Sequence, residues 1–397
     1  MNVYERTVFP EIKRALSDSR IIVITGMRRV GKTTTLHWLL DQINSQNKLF
    51  MDLERLDLRA VFEEQNYDLV LNYFRNQGLD TSQPMTIALD EIQYVPNLPS
   101  VIKYLYDHYG IKFILTGSSS FYLKNYFSES MAGRKIVYEM FPLSFGEFLG
   151  FKSVPFYRKD SFSDMLFDPH EYERLKAYYE EFVNFGGLPN VVLEPNLDVK
   201  QEILNDIFSS YINIDVQTLA DFRKIGELQN LLKILAMRIG NRLDYSKLSL
   251  IVGISRPTLN EYLDFLEKTY IIYQLPAFSS VDKSVALSKK LYFRDNGIAN
   301  ILANPGDGAL FENVIFNQLS HYGNLSYLSK GKDFEIDFVL GKENLGSIAL
   351  EVKYHPIEPD EIRLKKIVRG YDFRESWVIG CHPTQAFSNF IWGGAIF

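Results

Sequence analysis

The sequence predicts an α/β protein built in three parts, and three observations lead to this fold class. In the first third, short apolar runs alternate with amphipathic stretches, as in a parallel sheet with helices between its strands. The middle third is mostly helical in its periodicity, and the last third returns to short strands. We therefore expect domains over residues 1–150, 151–280 and 281–397.

Length and composition agree with a multidomain globular protein. The chain has 397 residues, of which 46% are hydrophobic, and its formal net charge is −6. This is enough for two or three separate cores and excludes wholesale disorder. Cys381 is the only cysteine, which excludes an internal disulfide framework and a cysteine-based zinc site. No apolar run approaches the roughly 18 residues of a membrane helix, and no signal segment is recognised, so we expect a cytoplasmic location.

Four short apolar segments in the first third are typical of buried parallel strands. They cover residues 21–25, 49–53, 85–89 and 112–116. Turn residues bound each segment, and helical patterns separate them. The first domain is therefore predicted to be an αβα sandwich.

The segment that follows the first strand has the pattern of a phosphate-binding loop. Residues 26–33 match G-x-x-x-x-G-K-[ST], and a predicted helix over 34–43 follows. Glycines there let consecutive N–H groups face phosphate oxygens, and the helix N-terminus adds the positive end of its dipole. We expect Lys32 to reach the β- and γ-phosphates and the Thr33 hydroxyl to ligate Mg²⁺; the alternative is a chance glycine turn. The predicted nucleotide-binding residues are Gly26, Met27, Arg28, Arg29, Val30, Gly31, Lys32, Thr33 and Thr34.

An apolar strand that ends in two carboxylates supports this prediction. Residues 86–89 lead into Asp90 and Glu91. We expect Asp90 to hold Mg²⁺ and Glu91 to polarise the attacking water as a general base. Strand 112–116 ends in Thr116 and leads to Ser118, and both hydroxyls are candidate sensors of the γ-phosphate. The alternatives are a solvated acidic turn for the carboxylates and plain turn chemistry for the hydroxyls.

Together these segments resemble the AAA+ superfamily of P-loop ATPases, in particular the bacterial and archaeal type with a G-x-R-R-x-G-K-T loop. Three further motifs carry the resemblance: Asp90-Glu91-Ile92-Gln93, Ala132-Gly133-Arg134, and Pro142-Leu143-Ser144-Phe145-Gly146-Glu147-Phe148. The resemblance implies that the domain binds and hydrolyses ATP with Mg²⁺. A GTPase is the rival, but 47–50 lacks the N-K-x-D pattern that reads guanine.

Arg134 is a further catalytic candidate within the same resemblance. The resemblance implies an arginine finger, acting in cis or from a neighbouring subunit, that stabilises charge in the transition state. The alternative is a surface arginine or a salt-bridge partner. A homo-oligomer is accordingly one of the assemblies that the sequence allows.

The middle third contains a segment that resembles a winged helix-turn-helix. Residues 246–259 read as helix, glycine turn and helix, with Ser255 as the N-cap and Pro257 in the first turn. Residues 270–275 follow as a wing strand. The second helix, 255–268, carries more acidic than basic residues, which disfavours direct reading of a DNA duplex. A packing module is the favoured interpretation.

The last third carries a second constellation of charged residues. Glu312 lies near the start of a predicted helix, Asp337 lies on strand 335–340, and Glu351 and Lys353 leave one face of strand 347–353. We expect the three carboxylates to share one or two Mg²⁺ ions. Lys353 would then activate the attacking water or stabilise a pentavalent phosphate.

This helix and its strands resemble the restriction-endonuclease-like fold, with its D-x(n)-E-x-K signature. Residues 290–297 also resemble the C-terminal domain of unknown function that usually follows ATPases of this type. Two alternatives stay open: an exposed strand with an ion pair, and a nuclease-like fold without activity.

The sequence thus predicts a Mg²⁺-dependent ATPase coupled to a nuclease-like C-terminal domain, with DNA as the candidate substrate of that domain. ATP and Mg²⁺ are the expected cofactors, nucleic acid is the candidate macromolecular partner, and no membrane is involved. The alternative is a nucleotide-gated regulatory or binding switch without nuclease activity. In a third hypothesis, ATP only stabilises the fold.

Overall fold

The computed structural model describes most of the chain and divides it into two compact units. The described residues are 3–117, 133–159, 161–216, 225–278, 288–331, 333–342, 346–387 and 390–397. The first unit holds residues 1–141, 210–221 and 268–270, and the second holds 142–209, 222–267 and 271–397. The predicted middle domain belongs mainly to the second unit, and the three-domain division stays a prediction. Within the described ranges, no helix has both the length and the hydrophobicity needed to cross a membrane.

A five-stranded parallel sheet forms the centre of the first unit, which confirms the α/β prediction. Its strands are β1 (Ile21–Gly26), β2 (Lys48–Asp52), β3 (Thr86–Asp90), β4 (Lys112–Gly117) and β5 (Lys135–Met140). They lie in the order β2-β3-β4-β1-β5, and each neighbouring pair is parallel. The apolar pattern does not predict β5, because this edge strand leaves most of its side chains exposed or half-buried.

Helices cover this sheet and bury its apolar strands. They are α1 (Phe9–Arg14), α2 (Lys32–Asp41), α3 (Leu56–Phe62), α4 (Tyr67–Asn76) and α5 (Leu98–Tyr109). Helix α2 begins two residues before the predicted start at 34, because Gly31 takes a left-handed φ of 99° and turns the chain into the helix at Lys32. The buried core includes Val23, Phe74, Leu89 and Leu115.

The middle of the chain is helical, as its periodicity predicts. Its helices are α6 (Phe145–Phe151), α7 (Pro169–Phe185), α8 (Pro189–Leu193), α9 (Leu197–Ser210), α10 (Ile225–Ala236), α11 (Tyr245–Val252) and α12 (Arg256–Lys268). A π-helical turn, Tyr211–Val216, follows α9. Helix α6 begins with a capping box, in which the Ser144 hydroxyl accepts from the Glu147 N–H and the Glu147 carboxylate accepts from the Ser144 N–H.

The elements of the predicted helix-turn-helix are present. Helix α11 ends at Gly253, which is left-handed with a φ of 76°, and the Ser255 hydroxyl accepts from the Thr258 N–H at 3.2 Å. Strand β6 (Ile272–Leu275) begins later than predicted and pairs antiparallel with β7 (Lys290–Phe293). The winged-helix assignment itself stays a prediction.

A second, mixed sheet forms the C-terminal part. Helices α13 (Asn296–Ala303) and α14 (Asp307–Leu319) precede β8 (Asn324–Lys330), β9 (Phe334–Lys342) and β10 (Gly346–Lys353), and α15 (Glu358–Val368) leads to β11 (Phe373–Gly380) and β12 (Phe390–Trp392). The strand order is β12-β11-β10-β9-β8. Strands β8, β9 and β10 are antiparallel neighbours, whereas β10, β11 and β12 are parallel. The strands predicted over 335–340 and 347–353 are therefore present.

Asp295 links the motif at 290–297 to the helical part of the second unit. Its carboxylate is 2% exposed and accepts from the Ile298 N–H at 3.0 Å, which caps α13, and from the Gly187 N–H at 2.9 Å. Burial raises the pKa of Asp295 to about 6, although the backbone N–H groups favour its charged form. Asp295 of this motif therefore stabilises the fold.

Replacing Asp295 by alanine should destabilise the protein strongly. Asp295→Ala leaves two buried N–H groups without their acceptor, which costs about 2–4 kcal/mol. The folded carboxyl has a pKa above its ordinary value, so folding takes up a proton between about pH 4 and 6. This proton uptake adds stability to the wild type at low pH, and the alanine variant lacks that contribution. The drop in melting temperature caused by the substitution should therefore be larger at pH 4.5 than at pH 7.

The matched control is Asp168→Ala. Asp168 caps α7 by accepting from the His170 N–H at 2.8 Å, but it does so in solvent. Water can replace that exposed cap, so this variant should melt closer to the wild type. Equal losses for the two variants would contradict the role given to burial at Asp295.

Candidate functional site

The loop between β1 and α2 has the backbone geometry of a phosphate cradle. Gly26 closes β1 with a φ of 149°, and a Cβ there would collide with the carbonyl oxygen of Met140. Gly31 turns the chain into α2, and Arg29 is left-handed with a φ of 67°. The loop therefore depends on glycine at its first position for space and at Gly31 for conformation.

Lys32 is folded back over this loop. The side chain is buried, and its Nζ donates to the carbonyl oxygens of Gly26 at 3.1 Å and Met27 at 3.0 Å. Lys32 is also the first residue of α2, so its ammonium and the positive end of the helix dipole lie at the same loop. Lys32, the predicted phosphate-binding lysine, therefore lies against the loop, with Thr33 and Thr34 directly after it on the helix.

Asp90 joins three elements at the carboxyl edge of the sheet. Its side chain is 4% exposed and ends β3. The Thr33 hydroxyl from α2 donates to Asp90 Oδ2 at 2.7 Å, and the Thr116 hydroxyl from β4 donates to Asp90 Oδ1. Burial raises the pKa of Asp90, and the two hydroxyl donors oppose that rise. The structure therefore brings together Thr33, Asp90 and Thr116.

Glu91 stands next to this group in a strained backbone conformation. Its φ is 54°, and its N–H donates to the Thr116 hydroxyl at 3.2 Å. The Glu91 carboxylate accepts a hydrogen bond from the side-chain amide of Gln93, which is buried. In the sequence analysis, Gln93 appears only as the last residue of the motif at 90–93. No sequence pattern indicates a side-chain contact between Glu91 and Gln93.

A second residue that sequence reasoning misses is Glu54, which follows β2. Its carboxylate lies 3.6 Å from the Arg28 guanidinium of the loop. Burial, and then the negative charge of Glu91, raise the pKa of Glu54. Arg28 therefore has an acidic neighbour beside the candidate site.

Arg134 lies at the amino ends of the strands, opposite the ends that lead to the phosphate loop. It precedes β5, its carbonyl oxygen accepts from the Ile21 N–H at 2.8 Å, and its guanidinium pairs with Asp107 at 2.9 Å. The phosphate loop follows the opposite end of β1, about 16 Å away along a six-residue strand. An arginine finger in cis is therefore not supported, and the surface ion pair foreseen as the alternative is present. Ser118 and Ala132 lie outside the described residues.

The charged residues predicted in the C-terminal part do come together. Lys353 Nζ lies 2.6 Å from Glu351 Oε1 and 3.9 Å from Asp337 Oδ2. Asp337 Oδ2 also accepts from the Val352 N–H at 2.9 Å, which fixes it across from β10. Glu312 reaches the same cluster from α14. All four predicted residues thus belong to one cluster.

The centre of this cluster is a lysine that the sequence does not single out. Lys290 of β7 is 1% exposed. Its Nζ lies 2.7 Å from Glu335, 3.3 Å from Asp337 Oδ1 and 3.7 Å from Glu312. A lysine at the start of an apolar strand usually signals an exposed end, so only the tertiary structure reveals its burial.

The lysines determine the electrostatics of the cluster. Burial lowers the pKa of Lys290, but the carboxylates of Asp337, Glu312 and Glu335 outweigh it, so the net direction is upward and the lysine stays charged. Burial and the charge of Asp337 raise the pKa of Glu312, and they raise that of Glu351 to about 7. No three Asp, Glu, His or Cys side chains in the described part of the chain are arranged to hold a metal ion. The metal expected at Glu312, Asp337 and Glu351 therefore does not fit this arrangement, because ammonium groups lie between the carboxylates.

Comparisons with known proteins match two separate segments of the chain. A family model described as an AAA domain matches residues 18–149. A second, described as a domain of unknown function (DUF8612), matches residues 176–307. The second match includes the motif at 290–297 and ends before Glu312.

Relatives cover nearly the whole chain. It is 30% identical over 374 residues to the uncharacterized protein MJ1544 of Methanocaldococcus jannaschii, a match that spans 91% of this chain and 80% of that protein. It is 27% identical over 361 residues to an uncharacterized protein of Haemophilus influenzae, spanning 86% and 85%. A solved structure, the Walker-type ATPase PABY2304 of Pyrococcus abyssi, superposes with a TM-score of 0.51 at 16% identity and covers 76% of this chain and 96% of that chain.

The parallel sheet, the phosphate loop and the matched domain define the first unit as an AAA-type domain with the P-loop ATPase fold. The chain belongs to the family of the Methanocaldococcus jannaschii protein MJ1544.

Proposed function

We propose that the first unit binds ATP with Mg²⁺ and hydrolyses it. The observation that carries this proposal is the position of Asp90 beside the loop that leads into Lys32. The Asp90 carboxylate accepts from the Thr33 hydroxyl at 2.7 Å and from the Thr116 hydroxyl. A hydroxyl and a carboxylate oxygen at this spacing are the hard donors that Mg²⁺ prefers. Thr33 and Asp90 would hold the ion, which supplies positive charge to the phosphate oxygens when bound.

Lys32 and the loop would bind the triphosphate. The two carbonyl contacts of Lys32 hold its ammonium inside the loop, where the β- and γ-phosphates would take over as its acceptors. The loop N–H groups and the α2 terminus would bind the remaining phosphate oxygens. The backbone of residues 26–34 supports this role through its glycine geometry.

Glu91 would orient the attacking water and take its proton. Its backbone N–H donates to the Thr116 hydroxyl, and through this bond Thr116 would couple the γ-phosphate to the position of Glu91. Ser118 stays in the proposal as a second sensor on sequence grounds alone. Arg134 stays in it as a finger contributed in trans by a neighbouring copy of the chain, which would require a homo-oligomer.

Two substitutions should separate nucleotide binding from turnover. Lys32→Ala removes the ammonium that faces the phosphates and should abolish ATP binding. Glu91→Gln keeps the shape of the side chain but cannot accept a proton, so it should bind ATP with near wild-type affinity while kcat falls about a hundredfold or more. Equilibrium binding of a fluorescent ATP analogue and steady-state phosphate release measure the two effects.

Lys48→Ala is the matched control for the lysine. Lys48 Nζ also donates to two backbone carbonyls, Leu40 at 2.7 Å and Ile43 at 2.9 Å, but at the end of α2 and away from the loop. This variant should retain binding. Turnover at the wild-type rate in Glu91→Gln would exclude Glu91 as the general base.

We also propose that the C-terminal part acts as a binding switch without nuclease activity. The order α14-β8-β9-β10-α15-β11 and the meeting of Asp337, Glu351 and Lys353 support the restriction-endonuclease-like resemblance. Lys290 favours the inactive alternative, because its ammonium already lies 3.3 Å from one oxygen of Asp337, a carboxylate that a catalytic metal would need. Nucleic acid is the proposed partner. Arg242 and Arg256 line an open polar groove beside α11 together with Asp244, although the Arg242 guanidinium also lies 3.6 Å from Glu335.

A cleavage assay tests this second proposal. Wild-type protein with Mg²⁺ or Mn²⁺ should leave single- and double-stranded DNA and RNA intact, both with ATP and without it. Asp337→Ala and Lys353→Ala should behave in the same way. Cleavage by the wild type that both substitutions abolish would instead establish a nuclease.

A further inference from the structure

Lys290 is the only described group that contacts carboxylates from three different positions of the C-terminal cluster. It reaches Glu335 and Asp337, which are two residues apart on β9, and Glu312 on α14. Residues two positions apart on a strand point to the same face of the sheet. Lys290 therefore lies over the face of β9 that carries Glu335 and Asp337. Its contacts join β7, β9 and α14 through one ammonium.

The side chain of Lys290 is almost completely buried. The side chain is 2% exposed, and Nζ lies 5.7 Å from the centre of the Tyr327 ring. Tyr292, its neighbour on β7, donates its hydroxyl to Glu312 at 2.7 Å, which fixes that carboxylate beside the lysine. Three partly buried carboxylates this close together repel one another, and the ammonium among them offsets that repulsion.

A second lysine, Lys353, contacts the remaining carboxylate of the cluster. Lys353 pairs with Glu351 and approaches the second oxygen of Asp337, so each oxygen of Asp337 faces one ammonium. Farther out, the Arg242 guanidinium lies 3.6 Å from Glu335. Four carboxylates are thereby offset by three cations that belong to the chain.

We propose that Lys290 is a built-in replacement for a divalent cation, and that it closes the Glu312, Glu335 and Asp337 cluster to metal. A divalent ion would have to displace a buried ammonium from three acceptors. Removing the ammonium while keeping the carboxylates should therefore let Glu312, Glu335 and Asp337 move together around a divalent cation, which none of their present positions would hold. The inference deepens the proposed switch without nuclease activity and rests on it only for its biological meaning, since metal binding is measured independently of cleavage.

Mn²⁺ binding without nucleotide tests the proposal, read from the paramagnetic resonance signal of the free ion. Wild-type protein should show no Mn²⁺ affinity that depends on Asp337, as judged against Asp337→Asn. Lys290→Met should gain one site that binds Mn²⁺ at least about tenfold more tightly than any wild-type site. The double variant Lys290→Met with Asp337→Asn should lose the gain.

A melting curve with and without Mn²⁺ provides a readout that does not require full stability of the variant. Lys290→Met should melt well below the wild type in the absence of metal, and Mn²⁺ should raise its melting temperature by mass action. Lys200→Met is the matched control, since Lys200 is a buried lysine paired with Glu181 at 3.0 Å in another part of the unit. Mn²⁺ should not stabilise that variant.

Two results would overturn the proposal. One is Asp337-dependent Mn²⁺ binding by the wild type as tight as in Lys290→Met. The other is a Lys290→Met variant that neither binds Mn²⁺ nor is stabilised by it. Nuclease activity of the wild type without such binding would refute the proposed switch alone, so the two failures are distinguishable.

Discussion

The hydrogen bonds to the carboxylate of Asp90 are the contacts on which the nucleotide site depends. One oxygen accepts from Thr33 at the start of α2 and the other from Thr116 at the end of β4, while Asp90 itself ends β3. A single buried charge therefore fixes the relative position of the phosphate loop and two strands. The same charge cannot be buried cheaply without these donors, so the fold and the site require each other.

The parallel sheet and the phosphate loop could be predicted because their signals are local. Buried strands read as continuous apolar runs, and the loop needs glycine at two positions for reasons of backbone geometry alone. Residues 26–33 therefore connect β1 to α2, and Asp90 ends β3 with Glu91 directly after it. Strand β5 escapes prediction because an edge strand lacks the apolar pattern.

The remaining contacts depend on tertiary structure. Lys290 and Asp337 are 47 positions apart, and nothing in the apolar segment around Lys290 indicates that its ammonium meets three carboxylates. Arg134 also depends on tertiary structure, since its motif suggests a catalytic arginine, whereas strand direction places it at the amino ends of the strands, away from the phosphate loop of the same copy. Spacing along the chain indicates which residues could meet, but it does not reveal which counter-charges join them.

The most direct measurement of the central claim is the effect of Mg²⁺ on ATP affinity in Asp90→Asn. If Thr33 and Asp90 form the ion site, calorimetry should show that Mg²⁺ strengthens ATP binding by the wild type. In Asp90→Asn, the ratio of ATP affinity with Mg²⁺ to that without it should be at least about tenfold smaller. Asp52→Asn is the control, because Asp52 pairs with Asp90 in the register of β2 and β3 and should keep the full gain. An undiminished Mg²⁺ effect in Asp90→Asn would contradict the account.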